Sequence, residues 1–184
     1  MKLNKNVEIV KLYAINLHKD QKYDPELNSP YSVHLLDVVN IIILFADSYN
    51  NETLKAAFLH DSIEDIKNVT KLIIAKKTNL FVSEIVYLVT DEQGHNRKTR
   101  KFNTNKKLSA IKKPYWDALT VKTADRYSNM LYSFNKNDKR KMKMYFKEYI
   151  EFKKAVFRLG HNRILWNKLD NLYKYIGHKL NIAF

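Results

Sequence analysis

The sequence predicts an all-α fold, a bundle in which several separated helices share one buried polar centre. Only three glycines and three prolines punctuate the 184 residues, too few for the tight turns an all-β chain requires. Apolar residues also recur at three- and four-residue steps through most of the chain, the period of amphipathic helices. The length matches one ordinary domain with room for a substantial core. Residues 1–184 are therefore read as a single unit, without linker, internal repeat or low-complexity tract.

Val10, Tyr13 and Leu17 place a helix near residues 5–20, which Asp24-Pro25 and Ser29-Pro30 break. Residues 32–49 are apolar on most faces, as in a helix at the middle of a bundle. Asn51 is expected to cap the next helix, which turns Leu54, Ala57 and Phe58 inward, carries residues 60–65 and stops near Asn68. Two shorter helices are expected at 70–78 and 82–90. From Asp91 to Lys113 apolar residues are sparse and basic ones dense, a loop followed by an exposed helix. Pro114 suits a first helical turn, and Trp116, Leu119, Val121, Ala124, Met130 and Leu131 mark a long helix to about Phe134 with Asp125 in its interior. Asn137 or Asp138 caps another that ends before Gly160, and a last helix from about Asn162 to Tyr175 stops near Gly177.

Composition bounds the function. With no cysteine there is neither a disulfide framework nor a thiolate metal site, and a reducing cytoplasm is the default expectation. The longest aliphatic run, Ile41 to Ala46, is far shorter than a membrane span, so a soluble protein with no membrane partner is expected. Lys and Arg total 33 against 19 acidic residues, a formal charge of +14. That field attracts anions such as nucleotides, nucleic acid or acidic headgroups. Heavy use of Lys, Asn and Ile through base composition accounts for part of the excess.

The most informative stretch is His60-Asp61-Ser62-Ile63-Glu64-Asp65. On a continuous helix His60 would stand above Glu64 and Asp61 above Asp65. The flanking Ala56-Ala57-Phe58-Leu59 is typical of a core, where unpaired carboxylates are strongly disfavoured. A divalent cation removes that penalty. A His-Asp pair alone carries little information, and the competing reading is a locally paired His60 with Glu64 and Asp65 at a solvated helix end. His34 upstream and Asp125 downstream, in Val121-Lys122-Thr123-Ala124-Asp125-Arg126, favour the metal, because three separated helices then converge on one ion.

Two imidazoles and two carboxylates, His34, His60, Asp61 and Asp125, suit manganese, iron or zinc better than calcium. Mn2+ is the first expectation, with Zn2+ or Fe2+ as alternatives. Such a site leaves positions for water and lowers its pKa toward neutrality. Glu64 and Asp65 stand next to the ligands, placed to orient or deprotonate that water and to protonate a leaving oxygen as a coupled pair.

These residues resemble the HD hydrolase domain of RelA/SpoT-type alarmone enzymes, most closely the stand-alone small alarmone hydrolases of the metazoan SpoT-homologue type. The resemblance rests on His18-Lys19-Asp20-Gln21-Lys22, on Asp24-Pro25-Glu26 with Pro30-Tyr31 and His34, and on the hexapeptide at 60–65. Leu88-Val89-Thr90-Asp91 and Lys122 to Arg126 with Asn129 continue it, in matching order from about residue 10 to 135. Glu148-Tyr149-Ile150-Glu151-Phe152 looks like the family's helix that closes the pocket, within C-terminal helices spanning about 137–178.

The resemblance implies an HD-superfamily helical bundle with His34, His60, Asp61 and Asp125 as metal ligands and Glu64 with Asp65 as the catalytic pair. Lys22 matches a basic position near the nucleotide, and Asn129 and Tyr149 match positions lining the ribose and phosphate pocket. It implies manganese as cofactor and guanosine tetra- or pentaphosphate, (p)ppGpp, as substrate, cleaved to GDP or GTP and pyrophosphate. With no room for a synthetase domain, the expected enzyme only degrades. The chain departs from the family at Leu27-Asn28-Ser29, where a glycine is usual, at Leu35, where a proline is usual, and by one residue between Gln21 and Asp24.

Of the remaining residues, His18 is read as either a structural hydrogen-bonding group or a catalytic one, and His95, His161 and His178 as surface histidines. Arg97, Lys98, Arg100 and Lys101 form either a flexible basic lid binding substrate phosphates, with Arg97 among the substrate contacts, or a solvated face. Arg126 is expected to pair with a carboxylate behind the site, and Trp116, Tyr127, Tyr145 and Tyr173 to serve core or interface. Two alternatives stand beside the alarmone reading. One keeps the metal and changes the substrate to NADPH or a pyrophosphorylated tRNA 3′ end, the latter favoured by high basicity. The other is a non-catalytic binder of an anionic nucleotide or nucleic acid.

Overall fold

A computed structural model describes residues 3–182. The chain is all-α apart from one small hairpin. Its elements are α1 Lys5–Leu17, β1 Lys22–Asp24, β2 Ser29–Pro30, α2 Ser32–Phe45, α3 Asn51–Leu59, α4 Ser62–Asp65, α5 Lys71–Lys77, α6 Leu80–Val89, α7 Arg97–Ser109, α8 Trp116–Asn135, α9 Lys139–Val156 and α10 Arg163–Lys179. Among the described residues no helix is long and apolar enough to cross a membrane.

Helix α8 is the axis of the bundle, packed by α2, α3, α6, α9 and α10. Its buried face carries Ala118, Leu119, Val121, Ala124 and Met130. These meet Leu35, Val38 and Ile42 of α2, Phe58 and Leu59 of α3 and Val82, Ile85 and Val86 of α6 in one hydrophobic core. Small residues on α8 let its neighbours approach closely, which brings polar side chains from different helices within reach of one another.

Local chemistry sets the helix ends. Asn50, one residue before the expected cap, starts α3 by accepting from the amides of Glu52 and Thr53, and its own main-chain N–H donates to the Thr53 hydroxyl. Asp138 caps α9. Helix α8 begins at Trp116, so Pro114 lies in the preceding turn rather than in the first helical turn. Helix α10 runs past the expected stop at Gly177, because Ile176 and Gly177 are buried within the packed helix and the cap falls at Leu180.

The helix expected to continue through residues 60–65 is interrupted instead. The Ala57 carbonyl, which a continuing helix would offer to the Asp61 amide, accepts from Nδ1 of His60 at 2.8 Å. The chain turns at His60 and Asp61 and resumes as the short α4.

The hairpin was not anticipated in the broken stretch between α1 and α2. Its strands pair antiparallel, Lys22 opposite Pro30 and Asp24 opposite Ser29. Asn28 sits at φ 51° in the left-handed region, which asparagine tolerates, so it serves where a glycine is usual. Asp24 pins the hairpin to α8. Buried itself, it accepts from the Glu26 and Leu27 amides and from Tyr132 and Lys136.

Candidate active site

Side chains from three places in the chain meet at one point. His34 lies in the first turn of α2, Asp125 is mid-way along α8, and His60 and Asp61 occupy the break between α3 and α4. His60 Nε2 is 2.9 Å from Asp61 Oδ2 and 3.8 Å from Asp125 Oδ1, while His34 Nε2 is 3.7 and 3.4 Å from the same two oxygens. The break matters, since consecutive residues on a helix point about 100° apart. In the turn, His60 and Asp61 reach the same point.

Each member has a further partner. Nδ1 of His34 lies 3.2 Å from the Ser128 hydroxyl, Tyr31 donates to Asp61 Oδ2 at 2.5 Å, and Asn129 Nδ2 donates to Asp125 Oδ1 at 2.5 Å. Because a carbonyl only accepts, the bond to Ala57 places the His60 proton on Nδ1 and leaves Nε2 to present its lone pair. That nitrogen is enclosed and has no hydrogen-bond partner among the described residues. A buried imidazole nitrogen facing two carboxylates is a donor set that could hold a metal ion. The ligand atoms of His34, His60 and Asp61 lie within 4.8 Å of one another and can hold a metal ion.

Burial by itself lowers the basicity of His60, yet Asp61 and Asp125 reverse this and push it up to about 9. Burial also opposes ionisation of the two aspartates, but His60 beside Asp61, and His34 and Lys122 beside Asp125, hold both carboxyls well below the usual range. The cluster is arranged to hold positive charge, and proton and cation compete for it.

Glu64 and Asp65 stand on α4 next to this cluster. Both residues reach solvent, but protein crowds their carboxyl groups, and this partial burial pushes both upward, aided by Asp91 beside Glu64 and Asp61 beside Asp65. A cavity of about 140 Å³ opens between Glu64 and α7, lined on one side by Glu64, Asp91, Lys122, Asp125 and Asn129; Asp65 is not part of its wall. Arg97, Arg100, Lys101, Arg126 and Tyr145 line the other. The basic segment is a regular helix, with Arg97, Arg100 and Lys101 on the cavity and Lys98 exposed. A larger groove of about 890 Å³ runs between α7 and α9 on the far side of Arg97 and Arg126.

The structure distributes the sequence candidates unevenly. His34, His60, Asp61 and Asp125 converge, and Asn129 and Arg97 line the cavity. Tyr149 does not: it is buried, stacked on Tyr173 with centroids 4.1 Å apart, and its hydroxyl is committed to Asp170 of α10. The α9 tyrosine at the cavity is Tyr145, one turn earlier, which the sequence reading left to core or interface. Lys22 is exposed on β1 and absent from the cavity wall. Strand alternation turns its neighbour Tyr23 inward, stacked on His34 with centroids 4.8 Å apart.

Among the other residues, His18 is buried, bonded through Nδ1 to Gln21 and 3.4 Å from the Ser62 hydroxyl through Nε2, which gives it a structural role under the hexapeptide. His161 is half-buried rather than on the surface, because Thr120, Asn162 and the Trp116 ring enclose it. Arg126 pairs with Glu148 at 3.1 Å, as expected.

No protein-family model matches the chain. It is 31% identical over 166 residues to guanosine-3′,5′-bis(diphosphate) 3′-pyrophosphohydrolase MESH1 of Xenopus tropicalis, covering 88% of this chain and 89% of the relative. Among solved structures, it superposes with a TM-score of 0.79 on a protein described as a metazoan orthologue of SpoT that hydrolyses ppGpp and plays a role in starvation responses. That match is at 23% identity and covers 96% of this chain and 98% of the other. The superposition shows a shared helical fold. With the curated relative identical at 31% of positions across most of both chains, the chain belongs to the MESH1 family, the metazoan SpoT-homologue branch of the HD-domain RelA/SpoT hydrolases.

Proposed function

We propose that this chain is a metal-dependent guanosine-3′,5′-bis(diphosphate) 3′-pyrophosphohydrolase, converting (p)ppGpp to GDP or GTP and pyrophosphate. The observation that carries the reading is the buried Nε2 of His60, 2.9 Å from Asp61 and facing Asp125 beside a basic cavity. His34, His60, Asp61 and Asp125 hold the metal, and the mixed nitrogen and oxygen donors favour manganese over calcium, with zinc or iron as alternatives. When bound, a divalent cation supplies Lewis acidity and brings the pKa of water toward neutrality.

The chain's own residues supply the rest. Glu64 and Asp65, pushed upward together, act as a coupled pair that accepts a proton from the attacking water and returns one to the leaving ribose oxygen. Arg97, Arg100 and Lys101 draw the phosphates into the cavity, and Asn129 and Tyr145 line it beside them.

The test is a substrate panel. Manganese-loaded protein is incubated with ppGpp, pppGpp, NADPH and a pyrophosphorylated tRNA 3′ end while pyrophosphate and phosphate release are followed. Pyrophosphate release from the guanosine compounds is expected. Release from another substrate in preference, or from none, overturns the reading. The Glu64→Gln, Asp65→Asn double variant should lose turnover and keep nucleotide affinity, which separates an enzyme from a binder.

A further inference from the structure

The cavity wall holds a buried ammonium group, Lys122, between the histidine-aspartate cluster and α6. Lys122 is 7% exposed, and an ammonium so placed must be neutralised by partners. Its Nζ lies 3.2 Å from Asp91 Oδ1 and 3.7 Å from Asp125 Oδ2. Asp91 has further connections. Its second oxygen accepts from Lys101 of α7, and its main-chain N–H donates to Glu64 Oε2 at 3.1 Å. One residue just past the end of α6 therefore ties together α4, α7 and α8, and Glu64, Asp91, Lys101 and Lys122 all line the same cavity.

Stability alone does not call for this arrangement, since an apolar side chain at position 122 would avoid the desolvation of an ion pair. Each ammonium carries three N–H donors, and among the described residues Asp91 takes one hydrogen bond from each. The remaining donors are available to oxygens entering the cavity.

We propose that Asp91 is a positioning residue, fixing Glu64 through its amide and presenting Lys122 and Lys101 as two ammonium groups that receive the phosphate oxygens of the substrate. The inference rests on the phosphohydrolase reading and deepens it. A water oxygen bonds to phosphorus as the bond from phosphorus to the ribose 3′ oxygen breaks. The proton taken from water ends on that ribose oxygen, and the pyrophosphate leaves with its charge against Lys122 and Lys101.

The test uses manganese-loaded protein and three readouts: kcat and KM on ppGpp, manganese content, and binding of inorganic pyrophosphate by calorimetry. Asp91→Asn keeps the amide and the side-chain shape; kcat should fall by about 30-fold with metal content unchanged and KM moving far less. Lys122→Gln should weaken pyrophosphate by about tenfold, and Lys122→Arg should restore most of the loss. If Lys122→Gln fails to fold, Lys101→Gln on the outer helix gives the same pyrophosphate readout. Variants that keep wild-type kcat and pyrophosphate affinity per folded, metal-loaded molecule overturn the proposal, as does a loss that only follows the melting temperature. A wild type that binds pyrophosphate through Lys122 yet leaves ppGpp intact overturns the substrate assignment and supports the present one.

Discussion

Glu148 is the keystone between α7, α8 and α9, and its replacement by glutamine has a calculable cost. Its carboxylate accepts from Arg97 Nε at 2.6 Å, from Arg97 Nη2 at 3.1 Å and from Arg126 Nη1 at 3.1 Å. Arg126 is 6% exposed. It also lies over the rings of Tyr145 and Phe152, at 5.0 and 4.6 Å. Breaking a buried ion pair costs about 3–5 kcal/mol, but the rings retain part of the cation's stabilisation and glutamine keeps an acceptor, so about 2–3 kcal/mol applies to Arg126. The Arg97 side chain is 40% exposed and adds at most about 1 kcal/mol. A total of about 3 kcal/mol in a protein of this size lowers Tm by about 6–12 °C.

Thermal unfolding of Glu148→Gln measures this, with Arg126→Met completing a double-mutant cycle. In the Arg126→Met background the same change should cost under about 1 kcal/mol. The sign with pH follows from the carboxyl, which burial pushes up but Arg97 and Arg126 hold below its ordinary value. The stabilisation is present above the unfolded pKa and is lost as pH falls through the folded one, so the gap between wild type and variant should shrink in acid below the ordinary carboxylate range. A Tm change within error at pH 7, or a gap that widens in acid, refutes the reasoning.

Three other expectations follow from the same geometry. Tyr31→Phe removes the hydroxyl behind Asp61 and should weaken manganese about 10–100-fold by competition titration; unchanged affinity would show that this support is dispensable. Chelation should lower Tm and manganese should restore it, by about 2.7 kcal/mol at free metal 100 times Kd; a melting curve indifferent to both contradicts the metal assignment. Asn28→Ala should destabilise the hairpin by about 1 kcal/mol because of its left-handed backbone, while Asn28→Gly should be near neutral in chemical denaturation. Equal effects from the two would remove the backbone explanation.

The fold was legible where one property decides an element. Helix α8 followed from apolar periodicity, α2 from a stretch apolar on most faces, and α9 from Asn137 or Asp138 as its cap. The convergence of two histidines and two aspartates was legible because such groups are costly in apolar surroundings without a shared partner. Features decided by two distant segments were not. Whether Tyr145 or Tyr149 faces the cavity depends on Asp170 of α10, which claims the Tyr149 hydroxyl. Whether Lys22 or Tyr23 points inward depends on the pairing of β1 with β2. The turn at His60 depends on one side-chain nitrogen displacing a main-chain donor, which no residue spacing reveals. Asp91 and Lys101 were each visible within a motif or a charged run, but their partnership exists only once α6, α7 and α8 are assembled.

Lys122, Asp125, Ser128 and Asn129 follow one another at three- and four-residue intervals along α8. An ammonium group, a carboxylate facing both histidines, the hydroxyl behind one of those histidines and an amide are therefore mounted on a single rod, so their mutual spacing is set by one helix rather than by the packing of several. A change in α7 or in the hairpin then alters the surroundings of these groups without altering the distances among them.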